Sequence, residues 1–151
     1  MELEIKHLTN YLPYKLQFLM ASEHESNDPN IDELKSIDIG LKMVNFGWGN
    51  AKTLTEIKPL LRSLSNLSNV INVNGEDFIP VNELNLLIDE FGNAKPTIVI
   101  IDGFGGFYFE WYASSKNASR RSVPFNFYEK LFEWHFDVFS LIKNGLATEL
   151  L

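Results

Sequence analysis

With 151 residues, 45% hydrophobic and 13% aromatic, the chain carries enough apolar material for one self-supporting core and too little length for two. It contains no cysteine, which excludes disulfides, a thiolate nucleophile and zinc held by sulfur. Its formal charge of −7, from 20 acids against 13 bases, argues against direct binding to a phosphate backbone, which calls for a basic stripe.

Taken in order, Met1-Glu2-Leu3-Glu4-Ile5-Lys6 is charged and alternating, unlike a basic segment leading into an apolar one, so no secretory leader is expected. Ile5 to Leu12 reads as a short helical turn that stops at Pro13, because the residue before a proline is pushed toward extended geometry. Tyr14 to Met20 alternates as a half-buried strand does, and Ser22 to Asn30 is a polar turn or loop closed by Asp28-Pro29-Asn30. Ile37 to Phe46 reads as one further strand running to a turn at Gly47-Trp48-Gly49-Asn50. Pro59 disfavours a central strand or helix interior, so Leu54 to Leu61 is read as a strand leading into a helical turn near Leu61 to Leu67.

Val70 to Val81 reads as a hairpin about Asn74-Gly75, a pair suited to the positive φ angles of a tight turn. Asn82 is placed to cap a helix from Glu83 to Phe91, closed by Gly92. Thr97 to Asp102 and Phe107 to Tyr112 form the strongest hairpin pattern, around Gly103-Phe104-Gly105-Gly106, and Ala113 to Ser122 is a polar loop with Lys116, Arg120 and Arg121. A long helix is expected from Asn126, a cap with Glu129 three positions on, to a left-handed stop at Gly145. Its apolar residues, from Phe127 and Tyr128 to Leu141 and Ile142, occupy far more of the circumference than a surface helix needs. These elements add up to one α+β domain over residues 1–151. An antiparallel sheet of four to six strands would pack on the long C-terminal helix, beside one or two shorter helices.

No catalytic constellation is legible. The glycine-rich turn at 103–106 leads into a strand pattern, whereas a phosphate loop opens into a helix. His7, His24 and His135 lie far apart without metal-ligand spacing, so neither metal nor cofactor is expected. His135, two residues from Asp137, is a candidate base if its imidazole meets that carboxylate, and a hydrogen-bonded core histidine if it does not. Glu129 and Glu133 share a helix face, where two acids are ordinarily solvated instead of flanking a cleft. Arg120-Arg121 with Lys116, near Tyr108, Trp111 and Tyr112, is the one basic and aromatic combination, a small footprint for RNA. The acids gather elsewhere: Glu23, Glu25, Asp28, Asp32, Glu33 and Asp38 stand against Lys35 alone. Such a stretch suits docking on a basic protein surface through opposite fields, and equally suits simple solubility.

Three stretches carry a resemblance: Tyr11-Leu12-Pro13-Tyr14-Lys15-Leu16-Gln17-Phe18, Ile57-Lys58-Pro59-Leu60-Leu61-Arg62-Ser63-Leu64, and Lys130-Leu131-Phe132-Glu133-Trp134-His135-Phe136-Asp137-Val138-Phe139 running on to Gly145-Leu146-Ala147. Together they resemble small proteins of unassigned function encoded by bacterial prophages and mobile elements, with the last motif the most specific. The resemblance brings no catalytic residue. It implies a host-cytoplasmic inhibitor of bacterial defence, of the anti-CRISPR kind, including those acting on type VI RNA-guided RNA nucleases. Such a protein would bind a basic effector and spoil guide-RNA or target engagement.

The expected function is therefore stoichiometric protein binding and not catalysis, without membrane or direct nucleic-acid contact. Glu23, Glu25, Asp28, Asp32 and Glu33 would form the acidic contact surface, with Trp48, Arg120 and Arg121 as secondary anchors. Two alternatives stand beside it: a homo-oligomeric assembly protein joined through the C-terminal helix, and a small enzyme centred on His135.

Overall fold

The computed structural model describes residues 1–20, 31–46, 51–89, 97–100, 107–112 and 118–150, with side chains over 1–19, 31–46, 51–87 and 123–150. Among the described residues twelve strands and two α-helices follow one another: β1 (Gln17–Met20), β2 (Ile31–Glu33), β3 (Ser36–Asp38), β4 (Met43–Asn45), β5 (Ala51–Thr53), β6 (Ile57–Leu61), β7 (Ile71–Val73), β8 (Glu76–Phe78), α1 (Pro80–Asp89), β9 (Thr97–Ile100), β10 (Phe107–Tyr112), β11 (Ala118–Ser122), α2 (Phe125–Glu133) and β12 (Thr148–Glu149). The class is mixed α+β, largely antiparallel, as the patterning indicates. The chain divides into two compact units, Met1–Ser63 with Phe132–Leu151, and Leu64–Leu131.

In the first unit, β12-β6-β1-β2 make one sheet and β3-β4-β5 another. Leu16 and Phe18 are fully buried while Lys15 and Gln17 face out, but the strand expected from Tyr14 begins only at Gln17, because Tyr14 still belongs to a 3-10 turn and Lys15 is left-handed. Pro59 is accommodated because β12 pairs only with Leu60 and Leu61, so at Pro59 the sheet has a partner on the β1 side alone. Pro13 likewise does not stop the N-terminal turns: a 3-10 turn runs over Thr9–Tyr14 with Pro13 inside it, and Lys15, in the left-handed region at φ 57°, ends it.

The reading of 37–46 as one strand is corrected to a hairpin. β3 and β4 pair antiparallel with Asp38 opposite Met43, leaving Ile39-Gly40-Leu41-Lys42 as the loop. Asp38 Oδ1 accepts the Leu41 amide at 2.9 Å and Lys42 turns left-handed at φ 53°, so the chain reverses where alternation alone predicts continuation.

In the second unit the Asn74-Gly75 hairpin forms as expected between β7 and β8, with φ of 55° and 89° and the Asn72 carboxamide oxygen accepting the Gly75 amide. The following helix starts at Pro80 instead of Glu83, since proline's fixed φ suits a first turn whose amide needs no helical partner. β9 and β10 pair as the predicted hairpin, and 118–122, read as loop, is a third strand, β11. The expected turns or stops at 22–30, 47–50, 91–92 and 103–106 lie outside the described residues.

The largest correction concerns the C-terminal helix, which runs from Phe125 to Glu133 and not from Asn126 to Asn144. Beyond it the backbone groups find tertiary partners. Arg62 donates its amide to the His135 carbonyl at 2.8 Å and its guanidinium to the Trp134 carbonyl at 3.0 Å, and the Asp137 amide donates to the Arg62 carbonyl at 2.9 Å. His135 sits at φ 58°, a conformation that costs a non-glycine residue roughly 1–2 kcal/mol and ends an α-helix. Gly145 does supply a left-handed stop, but to the single turn after Ser140: its amide reaches the Ile142 carbonyl and the Leu146 amide the Leu141 carbonyl. The excess of apolar residues is thereby explained. Trp134, Phe136, Val138 and Leu141 are buried by a segment that wraps the core in changing directions, not by one face of a cylinder.

Candidate partner-binding surface

Of the residues expected to touch a partner, Glu23, Glu25, Asp28 and Trp48 lie outside the described residues. Asp32 and Glu33 stand on β2, which pairs with β1 through Phe18 opposite Asp32 and Gln17 opposite Glu33. Both are half-buried. Asp32 Oδ1 accepts the Glu33 amide at 2.8 Å, and Glu33 Oε1 holds Lys35 Nζ at 2.6 Å. Their charge is thus already partly spent within the protein, and an exposed pair of this kind contributes roughly 0–1 kcal/mol. Arg120 and Arg121 belong to the second unit, on β11 opposite Glu110 and Phe109. The acidic and basic candidates therefore come from different units.

The patterning also misplaced two apolar residues. Ile39 and Leu41, taken for inward positions of a strand, are 72% and 70% exposed on the hairpin loop. The signal was present in Asp38-Ile39-Gly40: an aspartate whose side chain can bond the backbone beyond it, followed by a flexible glycine, is turn chemistry.

The two described histidines, His7 and His135, bond backbone groups. His135 Nε2 lies 2.7 Å from the Tyr14 carbonyl, so that nitrogen carries the proton and donates. Asp137, proposed as its carboxylate partner, instead accepts the Leu141 amide on Oδ1 and the Ile142 amide on Oδ2, each at 2.8 Å. Burial pushes the His135 pKa below its ordinary value; the Tyr14 bond opposes this and the nearby Arg62 charge adds to it.

His7 is 5% exposed, its Nδ1 accepts the Glu4 amide at 3.0 Å, and its ring lies 5.4 Å from that of Phe139. Burial, aided by Lys6, holds its pKa below the usual 6.5, with Glu4 acting in the opposite sense. A histidine whose folded pKa is depressed binds fewer protons folded than unfolded, so its contribution is complete above pH 6.5 and declines as pH falls from there toward the folded value. The urea midpoint of the protein should fall between pH 7.5 and pH 5.5. In His7→Asn, whose amide oxygen takes the Glu4 N–H without titrating, the fall should be shallower. An identical slope in the two proteins would remove His7 from the pH response.

Among the described residues no three His, Asp or Glu side chains converge as metal ligands would, and no helix is long and apolar enough to cross a membrane. No protein-family model matches the chain, and no curated protein or solved structure matches it either.

Proposed function

We propose that the chain acts by stoichiometric binding to a basic, nucleic-acid-handling effector, as an anti-CRISPR-type inhibitor from a mobile element would. A type VI RNA-guided RNA nuclease is the target class suggested by the resemblance of the 11–18, 57–64 and 130–147 stretches. The observation that carries this reading is the charge distribution: six acids against one lysine over 23–38, within a chain of net charge −7. A field of that sign steers association toward basic channels that otherwise hold guide or target RNA. The bonds made by His135 and Asp137 to backbone groups support a scaffold role for both residues.

Charge reversal at Glu23, Glu25, Asp28, Asp32 and Glu33 together should slow association with a purified, guide-loaded type VI effector by about tenfold or more and flatten its dependence on salt. Stopped-flow association at several ionic strengths reads both quantities. An unchanged rate and salt slope would remove the acidic stretch from the account, and absence of any complex with the unmodified protein would remove this effector class.

A further inference from the structure

An asparagine followed by glycine is the pair most prone to lose ammonia without a catalyst, because glycine puts no side chain in the way as its amide nitrogen closes on the carboxamide. The chain holds two such pairs, Asn74-Gly75 and Asn144-Gly145. All four residues are exposed and both glycines are left-handed, so neither access nor backbone class separates the pairs. Hydrogen bonding does. Asn144 Nδ2 donates to the Ser140 carbonyl at 2.7 Å, and the Gly145 amide donates to the Ile142 carbonyl at 3.0 Å. Their turn is tied down further by the Asp137 carboxylate on the Leu141 and Ile142 amides, and by the Leu146 amide on the carbonyl of the fully buried Leu141. The Asn74 carboxamide bonds no described residue. The Gly75 amide is held by the Asn72 side-chain oxygen at 3.1 Å, and Asn72, itself exposed, donates to Asp77 Oδ1 at 2.7 Å. Among the described residues β7 and β8 pair only with each other, a short hairpin of the kind that opens locally at little cost. Ring closure requires rotation about the asparagine Cα–C bond, so its rate follows the cost of opening each turn.

We propose that Asn74 is a modification site of the folded protein, deamidating through a succinimide under the restraint of the hydrogen bond from Gly75 to Asn72, while Asn144 stays locked. The Gly75 nitrogen gives up its proton to water or hydroxide and attacks Asn74 Cγ. The Cγ–Nδ2 bond breaks, and Nδ2 leaves, reprotonated, as ammonia. Water then opens the cyclic imide at either carbonyl and leaves aspartate or isoaspartate, with no oxidant or reductant consumed. Aspartate tolerates the left-handed backbone at position 74 much as asparagine does, so that product keeps the hairpin and adds a negative charge beside Glu76 and Asp77. Isoaspartate routes the main chain through the side-chain carbonyl and lengthens it by one carbon. The register that sets Val73 opposite Glu76, and the buried Ile71 opposite Phe78, then fails at the turn.

The test incubates the full chain in mildly alkaline, ammonia-free buffer, folded and in guanidinium chloride, and follows both sites by peptide mapping with mass spectrometry. Enzymatic methylation of isoaspartate marks that product. In the folded chain Asn74 should convert at least about tenfold faster than Asn144, the ratio set by the additional hydrogen bonds that the second turn must break. In the denaturant the two rates should converge. Asn72→Ala, at an exposed position, should speed conversion of Asn74 by about threefold or more and leave Asn144 unchanged. Equal rates at the two sites of the folded chain, or an intact Asn74 while the denatured sample reacts, would overturn the site. A ratio that denaturant leaves unchanged would assign the difference to neighbouring sequence and overturn the structural cause. Conversion of Asn74 at the same rate in Asn72→Ala and in the unmodified protein would overturn the restraint by Asn72.

Discussion

Asp137→Ala is expected to destabilise the protein by about 3 kcal/mol, read from urea unfolding followed by tryptophan fluorescence. The carboxylate is 5% exposed and accepts two backbone amides at 2.8 Å, those of Leu141, fully buried, and Ile142, half-buried. Hydrogen bonds to a charged group contribute roughly 1.5–3 kcal/mol each, and alanine leaves at least one amide with neither a protein partner nor water. Asp137→Asn retains one oxygen acceptor but turns an N–H toward the other amide, so it should recover less than half of the loss. Ser140→Ala removes an exposed hydroxyl from the same turn but also requires alanine at φ 57°, and it should cost no more than about 1–2 kcal/mol. A loss below about 1 kcal/mol for Asp137→Ala would show that the single turn from 141 to 144 holds without its carboxylate.

Substitutions at Tyr11 should separate into two steps. The phenol is fully buried, meets Phe132 edge-on at 5.0 Å and Phe139 at 6.4 Å, and donates its proton to the Phe136 carbonyl at 2.6 Å while the Val138 amide approaches the oxygen at 3.4 Å. Tyr11→Phe keeps the ring and leaves the Phe136 carbonyl with the Val138 amide alone, which reaches it at 3.0 Å, a loss of about 0.5–1.5 kcal/mol. Tyr11→Ala also opens a cavity among the rings and should reach about 3–5 kcal/mol, enough to unfold a protein of ordinary stability in part. Burial, reinforced by the Asp137 charge, also drives the phenol pKa well above its ordinary value of 10, although the Val138 amide pulls the other way. Alkaline titration followed by absorbance should therefore show this tyrosine ionising only on unfolding. Equal stability of the Phe and Tyr proteins would mean that the Val138 amide alone satisfies the Phe136 carbonyl.

What could be read in the chain was set locally. The Asn74-Gly75 turn, the Gln17–Met20 part of the strand expected from Tyr14 and the β9–β10 hairpin depend on neighbours in sequence, and all three form. The span 134–144 could not be read this way, because Arg62 and Tyr11 bond its backbone and the Tyr14 carbonyl bonds its His135 side chain, all more than 70 positions away. Apolar periodicity records that side chains are covered, not whether a helix or a folded-back segment presents them. The same ambiguity hid the loop at 39–42, where Ile39 and Leu41 completed an alternating pattern while Asp38 and Gly40 signalled a turn. Within the candidate surface, composition revealed the concentration of acids, but not that Glu33 would pair with Lys35 or that Arg120 and Arg121 would sit on a strand.

The parallel pairing of Thr148 and Glu149 with Leu60 and Leu61, closed by the Leu150 amide on the Leu61 carbonyl, sets an order of events during synthesis. The stretch from Leu64 to Leu131 is continuous and can gather its own contacts as it leaves the ribosome. The other half must wait, its edge strand open, until nearly ninety further residues have emerged to supply the missing neighbour.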